Sequence, residues 1–212
     1  MASTSQIPAS KAARQRVPAA ERRDALIEAA IIEFAHGGLH GTPVADIARR
    51  VGVAQPYVFS LFATKRDLFI AAVERCFGRV ISMFEEVAAN FRPDPDEPEL
   101  TLAKAFGDAY IELLASDRSV LMLQLHAYAA CGDDEVVREH VRANYDLLMT
   151  RVRELTDMDD VKLNEFLSIG MWLNVQAALN GGDLSPEVCD WLAIRAQQQQ
   201  QATAGDTAKP GY

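Results

Sequence analysis

TPVADIARRVGVAQPYVFSLFATK, residues 42–65, decides how the chain is read. Thr42 and Pro43 form a helix start signal, with Thr expected as N-cap and Pro in the first helical position. A short helix is expected over 44–51. Gly52 then supplies the left-handed backbone of a tight turn. A second short helix is expected over 55–62, with Pro56 in its first turn, where a missing N–H costs little. Its start is weakly capped, because Ala54 has no side-chain acceptor.

This window meets several demands of a helix-turn-helix together. Ala48 is small where the two helices cross. Gly52 stands in the turn. Ile47, Val51, Val53, Val58 and Leu61 supply the apolar contacts between the helices. Such a unit holds its second helix proud of the surface. A major groove about 12 Å wide admits one helix, N-terminal end towards the base edges. The exposed positions there are Gln55, Pro56, Tyr57 and Ser60. Gln55 is matched to the adenine edge, and Pro56 and Tyr57 to thymine methyls. Thr42 and Lys65 are expected to hold phosphates.

Outward from the window, residues 19–36 carry a helical stripe through Leu26, Ala30 and Phe34, ended by Gly37 and Gly38. Residues 1–17 are Ser/Ala/Gln-rich with Lys11, Arg14 and Arg16, and are expected to form a mobile basic arm. Downstream, Thr64 with Asp67 three residues on resembles a capping box opening a long helix to about residue 90. RPDPDEPE, residues 92–99, interrupts any helix. Helices are then expected over 100–115, 118–130, 134–155, 160–180 and, after Ser185–Pro186, to about 195. The VLMLQLHAYAA run is apolar nearly all round, which implies burial. Repeats and strand patterns are lacking, so the fold class is all-α, with about nine helices. The expected division is an arm at 1–17, a DNA-binding unit at 18–63, an effector and dimerisation body at 64–200, and a disordered tail at 201–212.

Composition sets further bounds. The net charge of −9 argues naively against a nucleic-acid partner. Its distribution does not: residues 1–70 hold nine Lys/Arg against six Asp/Glu, and residues 71–212 hold twelve against twenty-four. Screening limits electrostatic reach to about 8–10 Å at cellular salt, so the local excess governs. Cys76, Cys131 and Cys189 are widely spaced and suggest neither disulfides nor zinc. His36 and His40 have helical spacing, but the intervening glycines spoil a metal site. Neither a secretory signal nor a membrane span is recognised, and a cytoplasmic location is expected. Motifs for nucleophilic, metal or phosphate chemistry are lacking, so neither an enzyme nor a cofactor is expected.

The first helix with Ile27, Ala30 and Phe34, then TPVADIARRVGV and QPYVFSLFATKRDLF, resembles the N-terminal region of the tetracycline-repressor (TetR) family over residues 22–75. The resemblance implies a homodimer on a palindromic double-stranded DNA operator, with repression relieved by a small molecule in most members. It implies that the later helices sense the effector and dimerise. Phe59 stands where the family usually has Tyr, Leu61 where His or Tyr is common, and Ala54 where Ser or Thr caps the reading helix. Candidate pocket residues in the body are Phe106, Tyr110, Met122, His126, Tyr128, Tyr145, Trp172 and Asn174. Each has plain core packing as the blander alternative. Candidate dimer residues are Phe166, Gly170, Met171, Ala177, Ala178, Trp191 and Leu192. The rival reading is a helical ligand-binding or protein-interaction module whose DNA-reading unit has degenerated.

Overall fold

The computed structural model describes residues 18–93 and 101–181. They form eight helices and no strand: α1 (Ala19–Gly41), α2 (Val44–Val51), α3 (Gln55–Leu61), α4 (Lys65–Asn90), α5 (Leu102–Ser116), α6 (Arg118–Ala130), α7 (Glu135–Thr156) and α8 (Asp160–Leu179). The all-α class stands. The expected arm, the helix after Ser185 and the tail lie outside the described residues.

The local signals explain most boundaries. Thr64 accepts from the Asp67 N–H at 3.1 Å, and Asp67 accepts from the Thr64 N–H at 2.9 Å, closing a capping box at the start of α4. Asp134 caps α7 through the Val137 N–H at 3.1 Å, and Asp159 caps α8 through the Lys162 N–H at 2.9 Å. Gly52 adopts φ 73°, ψ 34°, the left-handed turn the sequence called for.

Two starts and stops differ from expectation. Gly38 breaks α1 with φ 62°, ψ −172°, but helical structure resumes for one short turn to Gly41. Thr42 is not the N-cap of α2; Pro43 occupies that place without a side-chain bond. Thr42 is 3% exposed, and its hydroxyl donates to the Glu33 carbonyl of α1 at 3.1 Å. The hydroxyl therefore fastens the α1–α2 connection instead of the helix start.

α6 is the axial element, packed against α1, α4, α5, α7 and α8. Its contact with α1 is the most extensive between any two helices of the described residues. The stripe Leu26, Ala30 and Phe34 is fully buried. Phe34 meets Phe69 of α4 edge-to-face, with centroids 5.0 Å apart. Further along α4, Phe84 stacks on Phe106 of α5 at 4.6 Å, and Phe166 of α8 leans on both. One apolar core thus runs from the helix-turn-helix into the body. Charged groups reinforce the same seam. Arg75 donates to Asp24 at 2.7 Å and Glu28 at 3.0 Å, and Arg79 reaches Glu28 and Asp117.

Candidate nucleic-acid interface

α2 lies on α1 through Val44, Ile47 and Ala48, all buried. Val58 is the one fully covered residue of α3, at 1% exposure. Val51, Val53 and Leu61 are partly buried against the same core. This inward fixing of a seven-residue helix turns Gln55, Pro56, Tyr57, Phe59 and Ser60 outward. Tyr57 is 36% exposed and Phe59 42%. Two aromatic rings thus stand partly exposed on the outward side of a short helix.

The side chains around this face divide into free and engaged groups. Ser60 Oγ donates to the Tyr57 carbonyl at 2.6 Å, so its proton is held within the helix. The Arg22 guanidinium lies 6.0 Å from the Tyr57 ring, and Arg23 lies 4.7 Å from the Phe62 ring. The first turns of α1 thereby add positive charge beside α3. Arg49 pairs with Asp46 at 2.7 Å and Arg50 with Glu33 at 2.8 Å.

Lys65 is more structural than its expected phosphate role implies. Its ammonium donates to the His40 carbonyl at 3.1 Å and the Thr42 carbonyl at 2.9 Å. Two of its three N–H bonds therefore hold the end of α1 against the start of α4. Burial pushes its pKa below the usual lysine value. Thr42 likewise has no side-chain group at the surface to offer a phosphate.

The junction with the body is a small open hollow of about 230 Å³ lined by Leu39, His40, Thr64, Lys65, Arg66 and Asp134. Arg66 reaches Asp134 at 3.3 Å, and His40 reaches Asp133 at 3.2 Å. Two successive carboxylates in the α6–α7 connection therefore touch the helix-turn-helix end of the molecule. The Asp134 carboxyl is held below the ordinary carboxylate range, first by the Val137 N–H and then by Arg66.

In the body, the candidate pocket residues separate. Phe106 is fully buried in the aromatic stack. Tyr110 and Asn174 meet through a 2.7 Å hydrogen bond, joined by Gln124, which the sequence reading did not single out. Tyr145 of α7 is half-buried within electrostatic range of Tyr110. Burial pushes the Tyr110 hydroxyl up to about 12. Met122 and Trp172 are half-buried against the core. His126 is placed elsewhere: its ring faces Gly38 at the bend of α1, so it belongs to the α1–α6 seam.

The dimer candidates also divide. Ala177 is 0% exposed, Phe166 belongs to the aromatic cluster, and Gly170 faces the Tyr110 ring. These three are turned towards the chain's own core, because α8 buries the stripe that carries them. Met171 and Ala178 are half-buried. The exposed apolar residues of α8 are Val161, Val175 and Leu179, which the sequence reading passed over. Trp191 and Leu192 lie outside the described residues. Among the described residues there is no cluster of three metal-ligating side chains, and no helix is long and apolar enough to cross a membrane. Cys76 is buried, which raises its thiol to about 12, and Cys131 is half-buried.

The fold and this surface define an all-helical protein with a helix-turn-helix head built onto a helical body. Residues 26–72 match the family model described as bacterial regulatory proteins, tetR family. It is 34% identical over 67 residues to the HTH-type transcriptional activator FasR of Mycolicibacterium smegmatis, covering 32% of this chain and 31% of that protein. It is 28% identical over 98 residues to the fatty acid metabolism regulator protein of Bacillus subtilis, covering 46% of this chain and 48% of that protein. The matches thus span about a third to a half of these relatives. The structure of the transcriptional regulator FadR from Bacillus subtilis, in complex with stearoyl-CoA, superposes with a TM-score of 0.59 at 18% identity. That superposition covers 74% of this chain and 88% of the other, and it establishes likeness of fold.

Proposed function

We propose that this chain is a dimeric, DNA-binding transcriptional regulator that reads a palindromic operator with α3 and releases it when a small molecule enters the helical body. The carrying observation is the outward face of α3, with Gln55, Pro56, Tyr57 and Phe59 exposed on a helix anchored by Val58. Gln55 offers paired donor and acceptor groups to adenine, and the apolar neighbours suit thymine methyls. Lys65 retains one N–H for a phosphate, and Arg22 and Arg23 bring charge to the same edge.

The dimer would form along the outer face of α8, where Val175 and Leu179 are exposed beside Met171 and Ala178. A two-fold axis there would present two copies of α3 to successive major grooves. Repression relieved by ligand is the reading that suits an α6 packed against both the head and the polar centre of the body. The stearoyl-CoA complex of the Bacillus subtilis FadR favours an effector that carries a long alkyl chain.

A gel shift with the DNA upstream of the coding gene tests this reading. Binding that protects two symmetric half-sites and weakens steeply with salt supports it. Equal, weak retention of all duplexes at low salt would favour a helical binding module that does not read DNA.

A further inference from the structure

The most covered face of α6 holds an amide. Gln124 is 5% exposed, in a helix otherwise buried through Val120, Leu121, Leu123 and Ala127. The Tyr110 hydroxyl of α5 lies 2.7 Å from Asn174 Oδ1 and 3.4 Å from Gln124 Oε1. It has one proton, and the shorter contact takes it. Asn174 Nδ2 in turn donates to Gln124 Oε1 at 3.5 Å. Donation therefore runs one way, from α5 to α8 to α6. It ends on Gln124 Nε2, a buried donor without an acceptor among the described residues. Buried amides are normally satisfied, and an orphan of this kind calls for a partner.

The surroundings specify that partner. Among the described residues, no Lys or Arg hydrogen-bonds to Tyr110, Gln124 or Asn174. Burying an anion against one neutral amide is unfavourable, whereas an uncharged carbonyl oxygen supplies what Nε2 needs. The adjoining wall is aromatic: Phe84 lies 6.4 Å from Tyr110 and stacks on Phe106. We infer that the Tyr110–Asn174–Gln124 chain is the polar end of the effector site, and that it selects apolar molecules bearing one uncharged hydrogen-bond acceptor, such as an ester or ketone carbonyl. This rests on the proposal that the body binds a small molecule.

The test uses three probes sharing one alkyl chain: methyl laurate, laurate and laurylamine. Binding to the full chain is followed by tryptophan fluorescence and thermal shift. Methyl laurate is expected to bind at least about tenfold tighter than either charged probe, the scale of one well-made hydrogen bond. Gln124→Met, similar in length and without the donor, is expected to weaken methyl laurate about tenfold, narrowing that preference by the share of one hydrogen bond, while the unliganded chain stays folded. Equal or tighter binding of laurate or laurylamine overturns the inference. So does an undiminished preference in Gln124→Met, or binding of none of the three. If Gln124→Met fails to fold, the order of the probes on the unsubstituted chain decides alone. A gel shift with methyl laurate separates the two proposals: selective binding without DNA release keeps the site and removes the switch.

Discussion

A methyl group built on Gly38 stands 2.8 Å from Nδ1 of His126, so the bend of α1 and the face of α6 are fitted to one another. The backbone there, φ 62° and ψ −172°, is one that side chains other than hydrogen scarcely tolerate. The head is joined to the body at this point by close packing, not by a loose linker. Movement of α6 would be felt directly by α1, on which α2 is seated.

Gly38→Ala should therefore destabilise the chain by about 1–3 kcal/mol, from backbone strain and the clash together. Urea denaturation measures it. Adding His126→Ala should restore the steric part and leave the strain. A loss within about 0.5 kcal/mol for Gly38→Ala would contradict the fitted seam.

Gln55→Ala should relax base preference at one position in each half-site, at a cost of about 1–3 kcal/mol in discrimination. Competition binding with single-base operator variants reads this out. Unchanged preference removes Gln55 from the readout.

Phe59→Ala should weaken operator binding severalfold, yet change folding stability by no more than about 0.5 kcal/mol, because the ring is exposed. Replacing half-site thymines by deoxyuridine should weaken the parent chain and leave the variant indifferent at the affected position. A variant that binds as well as its parent would show the ring idle.

Lys65→Ala should weaken all DNA sequences alike and lower the salt slope by about one unit per contact. It should also cost about 1 kcal/mol in stability, since two carbonyls lose a charged donor. Full stability with a sequence-selective loss would reverse both assignments.

Asp134 sets an acid dependence. Its folded carboxyl titrates below the ordinary range, so its stabilising contribution is complete above that range. The contribution fades as pH falls through the depressed folded value. Asp134→Asn keeps a capping oxygen but loses the charge, and should be less stable at neutral pH with the gap closing on acidification. A gap independent of pH would assign the effect to the cap alone.

Signals confined to one stretch of chain were legible before the structure. Thr64 with Asp67 announced its capping box, and Gly52 its turn, because both are satisfied by neighbours in sequence. The α6 boundaries at Arg118 and Ala130 follow from a nearly apolar run. Thr42 misled because its hydroxyl is taken by the carbonyl of Glu33, a partner that only the fold brings close. The Lys65 bonds to the His40 and Thr42 carbonyls likewise join partners that only the fold brings close. Gln124 went unnoticed because a single amide in an apolar helix gives no periodic signal; its meaning comes from Tyr110 and Asn174 on two other helices. Gly170 and Ala177 are dimer candidates because small residues permit close approach, and small residues serve close packing within the chain equally.

Selection of bound fragments from genomic DNA, run in parallel with the chain and a Gln55→Ala/Tyr57→Ala/Phe59→Ala variant, bears most directly on α3 as the reading helix. The account predicts enrichment of a two-fold symmetric site, its half-sites about one helical turn or a multiple apart, by the parent and not by the variant. Enrichment of the same site by both, or of no site by either, would contradict it.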